Sequence, residues 1–398
     1  MKNYVAICLL SLMVSGCTTT LEPSMEHMVD YALNRAVEQY KHMYSVMDSI
    51  PEMLPRSIDK NGALETSDSY FWTSGFYPGT LWYLYEYTGD EQLKEMASKM
   101  SDRVEIQKYN KDNHDVGFMI NCSFGNKYRL LGDTSCMDIV TTTARSLSTR
   151  YRSAVGCTRS WSHPGTLHWQ FPVIIDNMMN LDLLFYATRL TGDDKYKELA
   201  LTHARTTMKN HFRDDYSCYH VVSYDTITGK PHIKMTHQGY ADESAWARGQ
   251  AWAIYGYTMM ARETGSPEYL AQAKHIARFL MNHPNMPADK VPYWDFDAPN
   301  IPDAPRDASA AAIMASALIE LSQLDKSDEA KSYLDFAEQQ VRSLSSPEYL
   351  AEKGTNCNFV LKHSTGHLPG NSEVDVPLSY ADYYYVEALM RLKKLTEK

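Results

Sequence analysis

A chain of 398 residues, 44% apolar and 22% charged, can bury a large core without disulfide or metal staples, and its composition excludes disorder and collagen-like repeats. Lysine and arginine number 39 against 49 aspartate and glutamate, a formal charge of -10, so the surface repels polyanions and nucleic acid is excluded as a general partner. The 28 tyrosines and 7 tryptophans against 11 phenylalanines offer flat apolar faces with polar edges, suited to a core and equally to a sugar.

Met1-Lys2-Asn3 is a short basic start, Val5 to Val14 an apolar run, and Val14-Ser15-Gly16-Cys17 sets small residues directly before a cysteine. The run is too short to span a membrane as a mature helix and reads as a signal peptide over residues 1–16. It resembles the bacterial lipoprotein signal, which implies a lipidated Cys17 anchored to a membrane through its acyl chains, with residues 17–24 as a tether. Thr18 to Glu22 lacks a strong acidic run, so the expected location is the cell envelope with the anchor facing the periplasm. Cys122, Cys136, Cys157, Cys218 and Cys357 are widely spaced and contain no CxxC, which predicts buried free thiols rather than a disulfide framework or zinc site.

From residue 25 onward short turns separate apolar from amphipathic segments. Thr88-Gly89-Asp90, Leu131-Gly132-Asp133, Thr191-Gly192-Asp193 and Thr264-Gly265-Ser266 recur, with Asp325-Lys326-Ser327 in the equivalent later place. Glycine ends one helix where φ turns positive, and Asp or Ser caps the next. Helix pairs are predicted around 76–105, 116–152, 176–211, 243–283 and 306–345, with single helices at about 25–48 and 378–395. Those twelve helices predict an all-α toroid, an (α/α)6 barrel forming one domain over 25–398. An open solenoid is the alternative. Only Cys218 to Ser223 and Lys230 to Met235 read as strands, and the proline-rich stretch Asn282 to Arg306 reads as a long loop.

Four segments mix polar and aromatic residues beyond what helix packing requires: Phe71 to Gly79, Asn113 to Phe118, Ile174 to Asn180 and His237 to Trp252. Each begins a predicted inner helix, so the four are expected to face one cavity. Asp115 and Asp176 are the candidate carboxylate pair, with helix capping the competing role for each. Ile174, Ile175, Met178 and Met179 surround Asp176, and desolvation there raises a carboxyl pKa toward the range a general acid needs. His114 and His220 either hydrogen-bond a ligand or serve the core. Gln238 suits a sugar hydroxyl. Arg248 can hold a ligand carboxylate in a bidentate manner, or pair with Asp242 or Glu243. Trp72, Trp161 and Trp252 either stack on sugar rings or pack. No Walker loop, GxGxxG, GxSxG or HExxH occurs, so neither a metal nor an organic cofactor is implied.

Taken together, WTSGFYPG at Trp72, NHDVGF around Asp115, IIDNMMN around Asp176, the run Tyr240 to Trp252, PYWDFDAP at Pro292, RDASAAAI at Arg306 and SYADYYYVEAL near the end resemble the unsaturated glucuronyl hydrolases of glycoside hydrolase family 88. Family 105, acting on unsaturated rhamnogalacturonan fragments, shares that fold. The resemblance implies an (α/α)6 barrel that removes a terminal uronic acid carrying a C4–C5 double bond from small lyase-generated oligosaccharides. It implies that Asp176 protonates C4 and then activates water for attack at C5, and that Asp115 holds ring hydroxyls. By the same matching Trp72, Trp161, His220, Gln238, Arg248 and Trp252 line the sugar subsite, and His114 stands beside them as a candidate substrate-binding residue. His363 to His367 resembles a loop that meets the second sugar, and Asp375 stands where relatives carry Asn, a negative charge expected near the mouth. Two other readings of the carboxylate pair remain at this level: an inverting glycosidase, and a sugar-binding lipoprotein without turnover.

Overall fold

The computed structural model describes residues 23–162 and 169–397; the signal segment and Cys17 lie outside them. Among the described residues twelve helices follow one another. They are α1 (Met25–Met47), α2 (Phe76–Thr88), α3 (Glu91–Asp102), α4, α5 (Ser135–Ser148), α6 (Leu181–Thr191), α7 (Lys195–Asn210), α8 (Ala247–Thr264), α9 (Pro267–Asn282), α10 (Ala308–Leu324), α11 (Ala330–Leu344) and α12 (Ser379–Thr396). The α4 helix is continuous but uneven: α-helical Val116–Ile120, a π turn Asn121–Gly125, then α-helical Asn126–Leu131.

Helices α2, α4, α6, α8, α10 and α12 pack side by side in a ring, and α12 returns to α2. Around it α3, α5, α7, α9 and α11 each lie against the preceding inner helix, and α1 lies against α12. That is the (α/α)6 barrel, closed rather than an open solenoid. Composition explains which helices go inside. In α8 and α10 nearly every residue from Ala247 to Ala261 and from Ala308 to Leu321 is buried, as a helix apolar all round requires. Helices α3, α7 and α11 bury one stripe each, for example Tyr333, Phe336, Ala337, Val341 and Leu344.

Gly89, Gly132, Gly192 and Gly265 end α2, α4, α6 and α8 at φ of 63–70°, the left-handed cap the recurring turns predict. The fifth turn differs: Asp325 is extended, and its carboxylate accepts from the Ser327 amide and hydroxyl. Close packing of the ring demands glycine at Gly75, where a Cβ would stand 2.2 Å from the Phe118 carbonyl oxygen.

Strands β6 (Val221–Tyr224) and β7 (Pro231–Met235) form the expected hairpin, shifted by a few residues, and β5 (Pro172–Ile174) adds a third strand on the β6 edge. Three further antiparallel pairs go beyond the single hairpin expected from the sequence. These are β1 (Leu54–Ile58) with β2 (Leu64–Ser67), β3 (Tyr151–Arg152) with β4 (Cys157–Thr158), and β8 (Ser364–His367) with β9 (Ser372–Val376). They are too short and too mixed in polarity for period-two alternation to show. Among the described residues no helix is long and apolar enough to cross a membrane. Cys122, Cys136, Cys157 and Cys218 are buried free thiols, and Cys357 is half-buried.

Ring closure centres on Asp382 at the start of α12. Its carboxyl, fully buried, accepts from Tyr40 Oη of α1 (3.1 Å) and from the amides of Val360 (2.9 Å) and Leu361 (2.8 Å). Asp382→Ala would strand three buried donors at ~1–3 kcal/mol each. We expect a loss of several kcal/mol in chemical denaturation, with early fraying of α1 seen by hydrogen exchange.

Candidate active site

The three-stranded sheet brings the key side chains together. β5 leads straight into a 3-10 turn, Ile175–Asn180, that precedes α6 and carries Asp176. Ile174 pairs with Val221 of β6, and the Ile175 amide donates to the His220 carbonyl (3.0 Å), so Asp176 and His220 sit alongside each other. Val221 in turn pairs with Met235 of β7, which delivers His237 and Gln238 to the same place.

Asp176 is not a helix cap, and its side chain is only 13% exposed. Burial pushes its pKa up to about 7, against the lowering influence of the Arg248 charge and of the Trp252 indole N–H beside it. His220 Nδ1 accepts from the amides of His237 (3.2 Å) and Gln238 (3.3 Å). That fixes the proton on Nε2, which lies 3.7 Å from Asp176 Oδ2. Burial and the neighbouring His237 and Arg248 hold the His220 pKa well below its usual value, so the ring is neutral. Asp176 Oδ2, His220 Nε2 and Trp252 Nε1 are all buried without completed hydrogen bonds. Such a cluster of unsatisfied polar atoms calls for a functional explanation.

Asp115 starts α4, but its carboxyl makes no capping bond; instead its own amide donates to Asn113 Oδ1 (2.9 Å). Its pKa is raised well above the usual range by burial and by the charge of Asp176, against Asn180 and Arg150. The two carboxyls therefore share one environment.

The aromatic residues divide. Trp72 is half-buried and packs on Tyr380 (4.8 Å), Phe118 (5.6 Å) and Phe76 (5.7 Å). Trp161 is half-buried, stacked on Trp169 (5.3 Å) with His220 and His237 against it (6.0 and 5.2 Å). Trp252 is 0% exposed, wedged between Phe118 (5.2 Å) and Tyr384 (5.4 Å), so it offers Asp176 an N–H edge and no free face for stacking.

Two further residues are placed differently from the lining role read from the sequence. His114 is 1% exposed and stands behind Asp115: Nδ1 donates to the Ser160 carbonyl (3.0 Å) and Nε2 lies 3.2 Å from Asp115 Oδ1. Arg248, also 1% exposed, donates through Nη1 to Asp307 Oδ2 (3.1 Å) and the Thr365 carbonyl (2.5 Å), and through Nη2 to the Gly366 carbonyl. Neither Asp242 nor Glu243 is its partner. Gln238 Nε2 donates to the same Gly366 carbonyl (3.1 Å), so Arg248 and Gln238 together tether β8. Asp375 at the hairpin is exposed but paired with His363 (2.6 Å). Sequence reasoning passed over Trp169, Asn180 and Asp307. Asn180 lies four residues after Asp176 and could have been found by that spacing; Trp169 and Asp307 carry no local signal.

A cavity of about 350 Å³ opens elsewhere, among Arg129, Asp182, Arg262, Glu387 and Arg391. Its charges are paired, some with acids behind the lining, as in Arg262 with Asp182 and Glu320 and Arg391 with Glu320. Asp115 and Asp176 are not among its lining residues. Among the described residues no cluster of three or more His, Cys, Asp or Glu suited to a metal ion is present.

Residues 43–393 match Glycosyl Hydrolase Family 88. The chain belongs to this family. An unsaturated glucuronyl hydrolase of Formosa agariphila is 51% identical over 82% of this chain and 81% of the relative. An unsaturated chondroitin disaccharide hydrolase of Streptococcus agalactiae is 33% identical over 92% of each chain. The crystal structure of an unsaturated glucuronyl hydrolase specific for heparin superposes with a TM-score of 0.91 at 48% identity, covering 94% of this chain and 99% of that one. Family 88 membership agrees with the closed six-hairpin ring.

Burying the Asp176 carboxyl has a thermodynamic sign. Its folded pKa, about 7, exceeds the ~3.9 of an unfolded aspartate, so the folded state binds the proton more tightly and stability from this group falls as pH rises from about 4 to about 7. Asp176→Asn should therefore stabilise the fold at pH 8, by up to about 4 kcal/mol, and far less at pH 4.5. Denaturant titrations at the two pH values check the difference.

Proposed function

We propose that the chain removes the non-reducing-end 4,5-unsaturated uronic acid from lyase-generated oligosaccharides by hydrating the C4–C5 enol ether. Unsaturated glycosaminoglycan disaccharides, the chemistry carried by the relatives' names, are the substrate class. The observation that carries this reading is a buried carboxyl titrating near neutrality and faced by two N–H groups.

An acid–base group works best when its pKa lies near the working pH. Asp176 gives its proton to C4 as the π electrons form the new C4–H bond, leaving an oxocarbenium ion at C5. The carboxylate then takes a proton from water as the water oxygen bonds C5, so one water is consumed and Asp176 ends protonated. The hemiketal at C5 opens and the aglycone leaves. Between the two steps His220 Nε2–H and the Trp252 N–H stabilise the transient carboxylate, which explains why both stand unpaired beside it. Asp115 orients ring hydroxyls, with Trp72, Trp161 and Gln238 around the sugar.

An inverting glycosidase fits less well, because it needs one ionised carboxylate as base opposite a protonated acid. Here both carboxyls are pushed toward the protonated form. We extend the proposal to location: a lipidated Cys17 tethers the enzyme in the envelope. Cys17→Ala should abolish fatty-acid labelling and release the protein to the soluble fraction.

Ultraviolet absorbance of the conjugated double bond tests the activity. It should decay with unsaturated chondroitin or heparin disaccharides, while saturated counterparts stay intact; cleavage of the saturated glycoside would favour the inverting reading. Asp176→Asn should bind the disaccharide and lose at least 10³-fold in kcat, the upper part of the ~10²–10⁴ range for a general acid. The kcat/KM should fall as pH rises through about 7, because the reactive form is the protonated one.

A further inference from the structure

Two histidines back the two carboxyls, and the hydrogen bonds on their far nitrogens lock them in opposite tautomers. His220 carries its proton on the nitrogen facing Asp176, because two backbone amides occupy Nδ1. His114 is the reverse. The Ser160 carbonyl, which can only accept, takes the Nδ1 proton at 3.0 Å and accepts Arg150 Nη2 at 2.7 Å as well. The nitrogen that His114 turns to Asp115 therefore carries a lone pair, and it is buried with no completed hydrogen bond 3.2 Å from Asp115 Oδ1. Two bare acceptors do not hold together at that distance unless a proton lies between them.

We infer that His114 is a positioning residue: its bare Nε2 accepts from a protonated Asp115 and keeps that carboxyl neutral while Asp176 gives up and regains its own proton. This rests on the hydration reading above. It answers a difficulty in that reading, for an ionised Asp115 would raise the Asp176 pKa further and weaken it as the acid that must protonate C4. The surroundings agree. His114 meets Arg150, from beyond the end of α5, and His203 of α7, and its pKa is pushed down to about 3, mainly by burial. Apart from Asp115, its walls include Leu147, Thr158, Asn177 and Leu181, none of them acidic. Asp115 faces Asp176, Asn180 and Arg150, whose guanidinium is already spent on the carbonyls of Lys111, Arg159 and Ser160. Asp176 faces Arg248, His220, Trp252 and Cys218.

Carbon-13 labelling of aspartate carboxyls reads both groups without substrate, with assignments from Asp115→Asn and Asp176→Asn. Asp115 should keep the protonated signature to pH 8 while Asp176 titrates near 7. In His114→Gln, whose amide can turn an N–H to Asp115, Asp115 should ionise at lower pH. The Asp176 midpoint should then rise by about one unit, a tenfold change in proton affinity, with the alkaline limb of kcat/KM following it. Adding His114→Gln to Asp115→Asn should leave the Asp176 midpoint where Asp115→Asn alone puts it. An Asp115 already ionised at pH 7, or midpoints unmoved by His114→Gln, overturns the inference. Should His114→Gln not fold, nitrogen-15 shifts of the unaltered protein decide: a neutral ring protonated on Nδ1 from pH 5 to 8 supports it, and an imidazolium overturns it. The hydration reading stands or falls separately, on the ultraviolet assay.

Discussion

Keeping a carboxyl group dry is the constraint on which the rest of this molecule turns. Asp176 lies where β5 becomes the 3-10 turn leading into α6, against the buried Trp252 and His220, and the ring of inner helices has to close around it. Five unsatisfied atoms lie around it: Asp176 Oδ2, His220 Nε2, Trp252 Nε1, His114 Nε2 and Asn180 Nδ2 are all buried without completed hydrogen bonds. At ~1–3 kcal/mol for each unmade bond, such a cluster is tolerable only inside a large core. One contiguous apolar cluster running from Met28 to Leu392 provides that core. The extensive burial of α8, α10 and α12 is thus tied to the chemistry, since a smaller core could not carry the same polar burden.

Helices alone do not aim these groups. The inner helices set the walls, while a sheet of three short strands sets the register. Pairing of Ile174 with Val221 and of Val221 with Met235 fixes Asp176, His220 and the His237-Gln238 pair to neighbouring positions, and a one-residue slip would send every one of these side chains to the opposite face. The β8–β9 hairpin is held in the same spirit, by Arg248 and Gln238 on the Gly366 carbonyl and by Arg56 on Glu373 (2.7 Å). Rigid elements with few torsional choices are what a group needs when it must work from one position.

Much of this was legible in the sequence, and the boundary follows physics. Helical periodicity and glycine caps are local, so the twelve helices and their order could be read directly; Asp176 stood out as a carboxyl among apolar neighbours, and Asp115 by its polar-aromatic segment. Short strands such as β1, β2, β8 and β9 hold too few residues for a period to emerge. The roles of His114 and Arg248 were beyond reach for another reason. Their partners are backbone carbonyls, Ser160 for one and Thr365 and Gly366 for the other, and a carbonyl leaves no trace in residue type. Trp252 shows the same limit: an exposed and a buried tryptophan look alike until Phe118 and Tyr384 close over it.

The chain's formal charge of -10 opposes an anionic uronide at long range, yet the floor of the site carries almost none of that charge. Asp115 and Asp176 are held toward their neutral forms, His114 and His220 are neutral, and the Arg248 charge is balanced by Asp307 (3.1 Å). Remote surface carboxylates are screened beyond ~8 Å at physiological ionic strength. An anionic sugar therefore meets a nearly uncharged pocket rather than a repulsive one. In the proposed hydration, burial does two jobs through one group: the proton that Asp176 keeps is both the reagent for C4 and the reason the carboxylate of the substrate can approach it. When pH rises and that proton is lost, acid catalysis and electrostatic access fail together, so the descent of kcat/KM on the alkaline side draws on KM as well as kcat.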